Sequence, residues 1–537
     1  MNHDNRRDFL GSYIKEVDWL VVTPALIVVL GIVTYCMKNT DTALATFSTF
    51  FNGFVIRFTS LYLWYPLILI ILGAYLMFSK YGDIVMGDPE DKPTMTTWQY
   101  IAIILAMAFG ATIMRTGAIN WALAAQDPPA IFAAEAFSKE AIIFGNSFSM
   151  YAWGFSTFGV FCLASPAMSY YMHVRKKPTV RLSTIFAEAF NPKIEHNMLG
   201  KFCDFVFVVA FVCAAATLVG LATPVVSAVF ARVIGIGNSL ILEIILTIVM
   251  VVIFTTSACL GLKKGIEKLS EINIYLACLF MLLIVIVGPT LFIIDYATEC
   301  FGHYLSNYFM YTFHANSMGK EADFVQSYLV FWNAYNAGWA ILHSMFIAIV
   351  SRGRTVKEIL GIYFVAPQTI VLIFTAVLGG IGVDSYLTGT VPVFELLASV
   401  GVAETVTDIL QSLPMPIVMM VIYTITAMIF LSTTMDSSTY TIATYVCTKD
   451  LTKHEPSKIL RFVWAIVIAV LAITMQIVGG LAPLDVLNGI FGIPIIILQF
   501  FVIFAGFKMM NDDKAYIHNV RKKKYQVLGE TIHEAME

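Results

Sequence analysis

The chain has 537 residues, of which 58% are hydrophobic and 13% charged, roughly half the charged share of an ordinary soluble protein. A mean hydropathy of +0.79 and apolar runs of roughly 18 or more residues from end to end indicate a polytopic membrane protein rather than a soluble enzyme on one anchor. The net charge of −3 leaves no basic surplus for binding nucleic acid.

The N-terminus is polar from Asn2 to Arg7, and no small-residue cleavage site precedes the first apolar run. A cleaved signal peptide is therefore not expected. Apolar segments follow at about 19–37, 58–79, 97–123, 147–174, 202–231, 239–260, 272–297, 324–350, 357–383, 413–446, 459–480 and 483–507. At about 20 residues per crossing, this predicts an all-α integral membrane fold of twelve transmembrane helices packed as one unit over 19–507, with residues 1–18 and 508–537 as polar ends. Between the seventh and eighth spans, segment 298–316 mixes Phe301, Tyr304, Tyr308 and Tyr311 with His303 and Asn307, the pattern of a helix lying in the membrane interface. Lys and Arg fall 27 to 5 in favour of the side that carries both ends of the chain, which places both termini in the cytoplasm. The basic run Arg521–Lys524 then reads as a cytoplasmic charge anchor. The eight cysteines are scattered singly without CxxC spacing, as packing residues rather than a disulfide frame or metal site.

Small polar residues and helix breakers occur at mid-depth in three places: Gly110, Thr112, Thr116 and Gly117 in the third span, Thr223-Pro224 in the fifth, and Ser432 to Thr439 in the tenth. Irregular backbone at that depth is tolerated only where it lines a cavity or is buried in protein. Two groups of five helices, about 97–297 and 324–507, resemble the inverted repeats of secondary transporters. The chain contains no Walker A motif, kinase or hydrolase signature, or HExxH, so ATP-driven pumping and enzymatic catalysis lack their chemistry.

In the eighth span Tyr328, Trp332, Tyr335, Trp339 and His343 are spaced 4, 3, 4 and 4 apart and share one helical face. Stacked aromatic faces suit a quaternary ammonium, because the ring quadrupole attracts a cation without demanding hydrogen bonds. Such a stripe is also common as plain packing, but Asn333, Asn336 and His343 beside it are polar groups that should avoid lipid.

The run from Tyr328 through Ser351-Arg-Gly-Arg-Thr355 resembles the eighth span and following loop of the betaine/carnitine/choline transporter family. Supporting matches are Gly220-Leu-Ala-Thr-Pro224, Gly261-Leu-Lys-Lys-Gly265, Asp127-Pro-Pro129 and Thr433-Thr-Met-Asp-Ser437, over about residues 15–510. The resemblance implies a twelve-helix LeuT-type fold with a five-plus-five inverted repeat, a homotrimer, and a small zwitterionic substrate such as betaine or carnitine. It further implies that Trp153 occupies a cage tryptophan's place, that Phe158 stands where another tryptophan is common, and that Tyr335-Asn336 replaces a Trp-Trp pair. Trp339 holds an aromatic position of the carnitine antiporters, Leu123 stands where they carry a cage tyrosine, and His343 aligns with their methionine beside the substrate.

Arg115 interrupts the third span. A charge there costs about 2.5–3.5 kcal/mol on insertion scales and must face the interior. Three roles are open to it: an ion pair with Asp436 or Glu243, a fork that holds the carboxylate of a zwitterionic substrate, or a fixed cation in place of a coupling sodium. The resemblance places a sodium site at Thr433, Thr434 and the carbonyls of Ala108 and Phe109, while Asn273 stands as in sodium-coupled members. His343 is either a hydrogen-bonded packing residue or a proton carrier. The expectation is thus a secondary transporter in the cytoplasmic membrane, with no cofactor beyond a sodium ion, carrying a betaine- or carnitine-like zwitterion. The alternative is a different small carboxylate or amino-acid-like solute anchored on Arg115.

Overall fold

The computed structural model describes residues 16–108, 112–260, 267–319, 322–449, 455–478 and 482–513. Among them there is no strand, only the isolated bridges Val17–Cys447 and Val85–Thr355. The chain opens with α1 (Trp19–Lys38), α2 (Thr40–Phe54) and α3 (Thr59–Phe78). The third predicted span is α4 (Thr97–Ala108) and α5 (Thr112–Ala125), inclined at 59°. The fourth is broken into α6 (Lys139–Ala152), α7 (Phe155–Cys162) and α8 (Ser165–Ser169). Then come α9 (Leu182–Ala189), α10 (Met198–Ile234), α11 (Leu240–Leu260), α12 (Glu267–Val287) and α13 (Thr290–Thr312). The second half contains α14 (Phe324–Val350), α15 (Val356–Leu387), short α16 (Val393–Ser399) and α17 (Gly401–Gln411), α18 (Pro416–Val446), α19 (Lys458–Val478) and α20 (Ala482–Asp512).

Among the described residues nine helices are long and apolar enough to cross a membrane, and the bent pair α4–α5 makes ten. The two remaining predicted spans are the broken fourth and α14, whose asparagines, glutamine and histidine dilute its apolar content. The interfacial helix begins earlier than the sequence pattern suggests, at Thr290, because Gly288-Pro289 ends α12 and starts α13.

Two expected interruptions are absent. Helix α10 runs 37 residues straight through Thr223-Pro224. Helix α18 continues through Ser432–Thr439 because its hydroxyls bond back along the helix, Ser437 to the Thr433 carbonyl (3.0 Å) and Ser438 to that of Thr434 (2.6 Å), a local alternative that satisfies hydroxyls without breaking the ladder. The break in the fourth span lies instead at Gly154, where a Cβ would stand 2.7 Å from the Met150 carbonyl oxygen.

Helix starts follow their capping chemistry. Asp323 accepts from the Gln326 amide at 2.7 Å to open α14, and Thr355 with Glu358 forms a capping box on α15. Helix α14 occupies the centre, packed on α3, α7, α8, α10 and α20. Its close approach to α10 requires glycine, since a Cβ on Gly338 would lie 2.9 Å from that of Ala214.

The two ends of the bundle differ. One end gathers the segment before α1, the turn after α3, the loop before α9 and the end of α20, tied by Arg175–Asp513 (3.0 Å), Lys176–Asp88 (3.0 Å) and Arg352–Asp91 (3.0 Å). Here Asp18 takes both Arg181 and Lys201 at 2.5 Å, while the backbone of residues 16–18 pairs with Val446–Thr448 at the end of α18. Burial alone would raise the Asp18 pKa, but the hydrogen bond from Lys201 and the charges of Arg181 and Lys201 outweigh it and hold the group below its ordinary value. A depressed carboxylate stabilises the fold above its unfolded pKa and loses that contribution as pH falls through the folded one. Asp18→Asn should therefore cost about 2 kcal/mol at neutral pH, somewhat less than the ~3–5 kcal/mol of a fully buried pair. This is read as a lower melting temperature of the purified protein and faster proteolysis ahead of α1; equal melting and equal proteolysis would show that the cluster ties nothing down.

Candidate functional site

The aromatic stripe of α14 forms a continuous ladder. Ring centroids are 5.8 Å apart for Tyr328–Trp332, 5.2 Å for Trp332–Tyr335, 6.3 Å for Tyr335–Trp339 and 5.4 Å for Trp339–His343. Facing it, Trp153 stands at the end of α6, where the break at Gly154 turns the chain, and its ring lies 4.5 Å from that of Trp332. Phe211 of α10 meets Trp339 edge-on at 5.6 Å. Between these walls is a cavity of about 20 Å³, space for about one water molecule. Trp153, Tyr335, Asn336, Trp339 and His343 line it, and Ala108 and Thr434 close one side. No carboxylate is among its lining residues.

Polar groups at the wall are held from outside the stripe. Thr157 accepts hydrogen bonds from Asn336 Nδ2 (2.9 Å) and Trp332 Nε1 (3.3 Å), leaving Asn336 Oδ1 buried without a partner. His343 stacks on Phe161 with centroids 4.1 Å apart and planes 6° apart. Its Nδ1 lies 3.2 Å from the Trp339 carbonyl and its Nε2 3.2 Å from that of Met107. A neutral imidazole donates only one of these bonds, whereas an imidazolium donates both.

The hydroxyls of α18 meet the last turn of α4. Thr434 Oγ1 donates to the Ala106 carbonyl at 3.0 Å, and Thr433 Oγ1 lies 3.5 Å from the same oxygen. Asn273 of α12 donates from Nδ2 to Thr433 Oγ1 at 3.0 Å, and its Oδ1 is buried without a hydrogen bond. Two hydroxyls, a helix-end carbonyl and an amide oxygen thus lie within one small volume. The carbonyl that joins them is that of Ala106 rather than the expected Ala108, and Phe109 lies outside the described residues.

Arg115 sits in α5, half-buried, and is not among the residues lining the cavity. Asn120, five residues further along α5, donates to Tyr328 Oη at 2.7 Å. Among the described residues Arg115 has no ion pair. The pairing with Asp436 or Glu243 is not formed: Asp436 takes hydrogen bonds from Ser257 (2.5 Å) and Ser437 (3.2 Å), and Glu243 lies in the first turn of α11.

Of the positions drawn from the resemblance, Phe158 packs on Tyr363 at 6.0 Å and is absent from the cavity wall, and Leu123 is absent from it as well. Thr112, singled out at mid-depth in the third span, lines the cavity, whereas sequence reasoning missed Phe161, Met107 and Leu218, which line it as well. The nearest available signal was Phe161, three positions beyond Phe158 on the same short helix.

Among solved structures, the fold is similar to that of a Na+-coupled sialic acid symporter in a substrate-bound, outward-open state, at 13% identity and a TM-score of 0.47 over 83% of this chain and 86% of that one. The family model for betaine/carnitine/choline transporters (BCCT) matches residues 20–515, nearly the whole chain and every element of the site. The chain therefore belongs to the betaine/carnitine/choline transporter family, as a multi-pass secondary transporter.

Proposed function

We propose that the protein moves a betaine- or carnitine-like quaternary ammonium zwitterion across the cytoplasmic membrane by alternating access, as a homotrimer with both termini in the cytoplasm and a five-plus-five helix repeat. The observation that carries the reading is the carboxylate-free aromatic wall of Trp153, Tyr335 and Trp339 around one small cavity. Such a wall attracts a soft, desolvated cation through ring faces and offers no counter-ion to trap it. At about 20 Å³ the cavity is closed around less than a trimethylammonium group, so these rings part to admit a substrate. Trp339→Ala is expected to weaken binding about thirtyfold, the loss of about 2 kcal/mol of cation–π attraction, with Trp153→Ala acting from the opposite wall. Unchanged affinity in both folded variants would reduce the ladder to packing.

Arg115 supplies the positive group that a zwitterion's carboxylate needs, outside the aromatic wall, so the two charges of the substrate meet opposite partners in turn. Uptake into proteoliposomes of betaine, carnitine, butyrobetaine, choline and proline tests the substrate class. Arg115→Lys, which keeps charge but loses the two-pronged fork, should raise KM for betaine at least fivefold and leave choline, which has no carboxylate, nearly unchanged. Equal effects on both solutes would remove Arg115 from recognition. Preference for a carboxylate without the quaternary ammonium would favour the second reading, a different small carboxylate anchored on Arg115.

Sodium as the coupling ion has residues that suit it. Hard cations take oxygen ligands, and Thr433, Thr434 and the Ala106 carbonyl lie together beside an Asn273 amide whose oxygen turns toward them on a simple flip. A bound sodium would supply fixed positive charge joining α4, α12 and α18, while the four residues orient it. Replacing both threonines by valine should raise the sodium concentration for half-maximal uptake at least tenfold with similar protein yield. Wild-type transport that runs equally well in sodium-free buffer would refute the assignment and favour exchange.

A further inference from the structure

One acceptor in the wall of the central cavity is left over once its neighbours are accounted for. Thr157 donates its single hydroxyl hydrogen at 2.8 Å to the carbonyl of Ala152, the last residue of α6, where a helix supplies no donor of its own. Its oxygen accepts from Trp332 Nε1 (3.3 Å) and from Asn336 Nδ2 (2.9 Å). An indole nitrogen can only donate, and a hydroxyl with one hydrogen and two lone pairs is thereby full. This network fixes which way the Asn336 amide points: turned over, its oxygen would face the Thr157 oxygen with no hydrogen between them. Oδ1 is therefore the end left free. It belongs to a fully buried side chain that lines the cavity, and no donor reaches it among the described residues.

We infer that Asn336 determines specificity: its Oδ1 accepts a hydrogen bond from the substrate's cationic head, so the preferred solute is a zwitterion whose ammonium is incompletely methylated and keeps an N–H. This rests on the reading that Trp153, Tyr335 and Trp339 receive a cationic head, and it refines which head that is. A ring face asks only for positive charge, whereas a buried carbonyl oxygen asks for a hydrogen. A quaternary head meets the first demand and not the second, because every position on its nitrogen carries carbon. A secondary or tertiary ammonium meets both, and as an alkylamine it stays protonated at neutral pH. It also needs less room, in a cavity of about 20 Å³. The donor belongs on the head rather than on the chain of the solute, since Asn336 lies one turn beyond Trp332 and three positions before Trp339 on the ring-bearing face of α14. A buried acceptor rejects a ligand that lacks its donor far more sharply than an apolar pocket rejects a missing methyl group. Quaternary solutes still enter, at lower affinity.

The test is calorimetric titration of the full chain, purified in detergent, with two matched pairs of solutes. N,N-dimethylglycine and glycine betaine differ by an N–H against an N-methyl; carnitine and butyrobetaine share a quaternary head and differ by a hydroxyl on the chain. Dimethylglycine should bind at least tenfold more tightly than glycine betaine, the scale of one hydrogen bond to a charged group. Asn336→Leu, checked for a monodisperse elution profile, should bring that ratio to within about threefold of unity, and Asn336→Asp, which keeps an oxygen acceptor of the same size, should preserve the preference. Thr157→Val, which frees the Asn336 amide to turn, should lower the ratio as well and serves if Asn336→Leu does not fold. Glycine betaine binding as tightly as dimethylglycine, or a ratio indifferent to these substitutions, overturns the proposal and leaves the aromatic reading standing. A preference for carnitine over butyrobetaine that vanishes in Asn336→Leu, with the first pair equal, moves the donor to the chain and overturns it too. Binding of none of these solutes overturns both readings.

Discussion

The organisation of the site rests on what happens to the carbonyls at the end of α4. The last four carbonyls of a helix have no partner within it, and inside a bilayer no water replaces one. Here Ala106 is met by Thr434 of α18 and Met107 faces His343 of α14. The interrupted span thereby draws together two long helices from the other half of the chain, and both cavity and hydroxyl cluster lie where they meet.

The packing around this junction is uneven. Helix α14 is seated against α10 at Gly338 and against α20 near Gly492, where a Cβ would lie 3.2 Å from the Ala334 Cα. Side chains packed that closely transmit displacement rather than absorb it. The opposing wall is built from shorter pieces, α6 ending at Trp153 and the eight residues of α7.

Much of this was legible in the sequence, for reasons that also explain the misses. The residues of the ladder share a helix, and helical spacing fixes which of them share a face, so Tyr328 to His343 could be read directly. Phe161 could not, because the break at Gly154 resets the helical phase and no periodicity carries from α6 into α7. Partners for Arg115 were inferred from depth alone; depth says nothing about which way a side chain faces around its helix, and Asp436 is turned to Ser257 and Ser437. The expected interruption of α18 failed because small hydroxyl residues can satisfy themselves along a continuous helix.

The polar groups of α14 also bear on how the chain enters the membrane during synthesis. Gln326 bonds to Thr59 (3.0 Å), Asn333 to the Tyr62 carbonyl (3.0 Å), Asn336 to Thr157 (2.9 Å) and Ser344 to the Phe161 carbonyl (2.8 Å), while His343 faces the Met107 carbonyl. Each of those partners precedes α14 in the chain. A helix carrying this many polar side chains is a poor candidate for partition into lipid by itself, but when it leaves the ribosome every one of these acceptors has already been made. Its insertion is thus a docking step onto a half-built bundle, and the order of the helices along the sequence supplies the order of assembly.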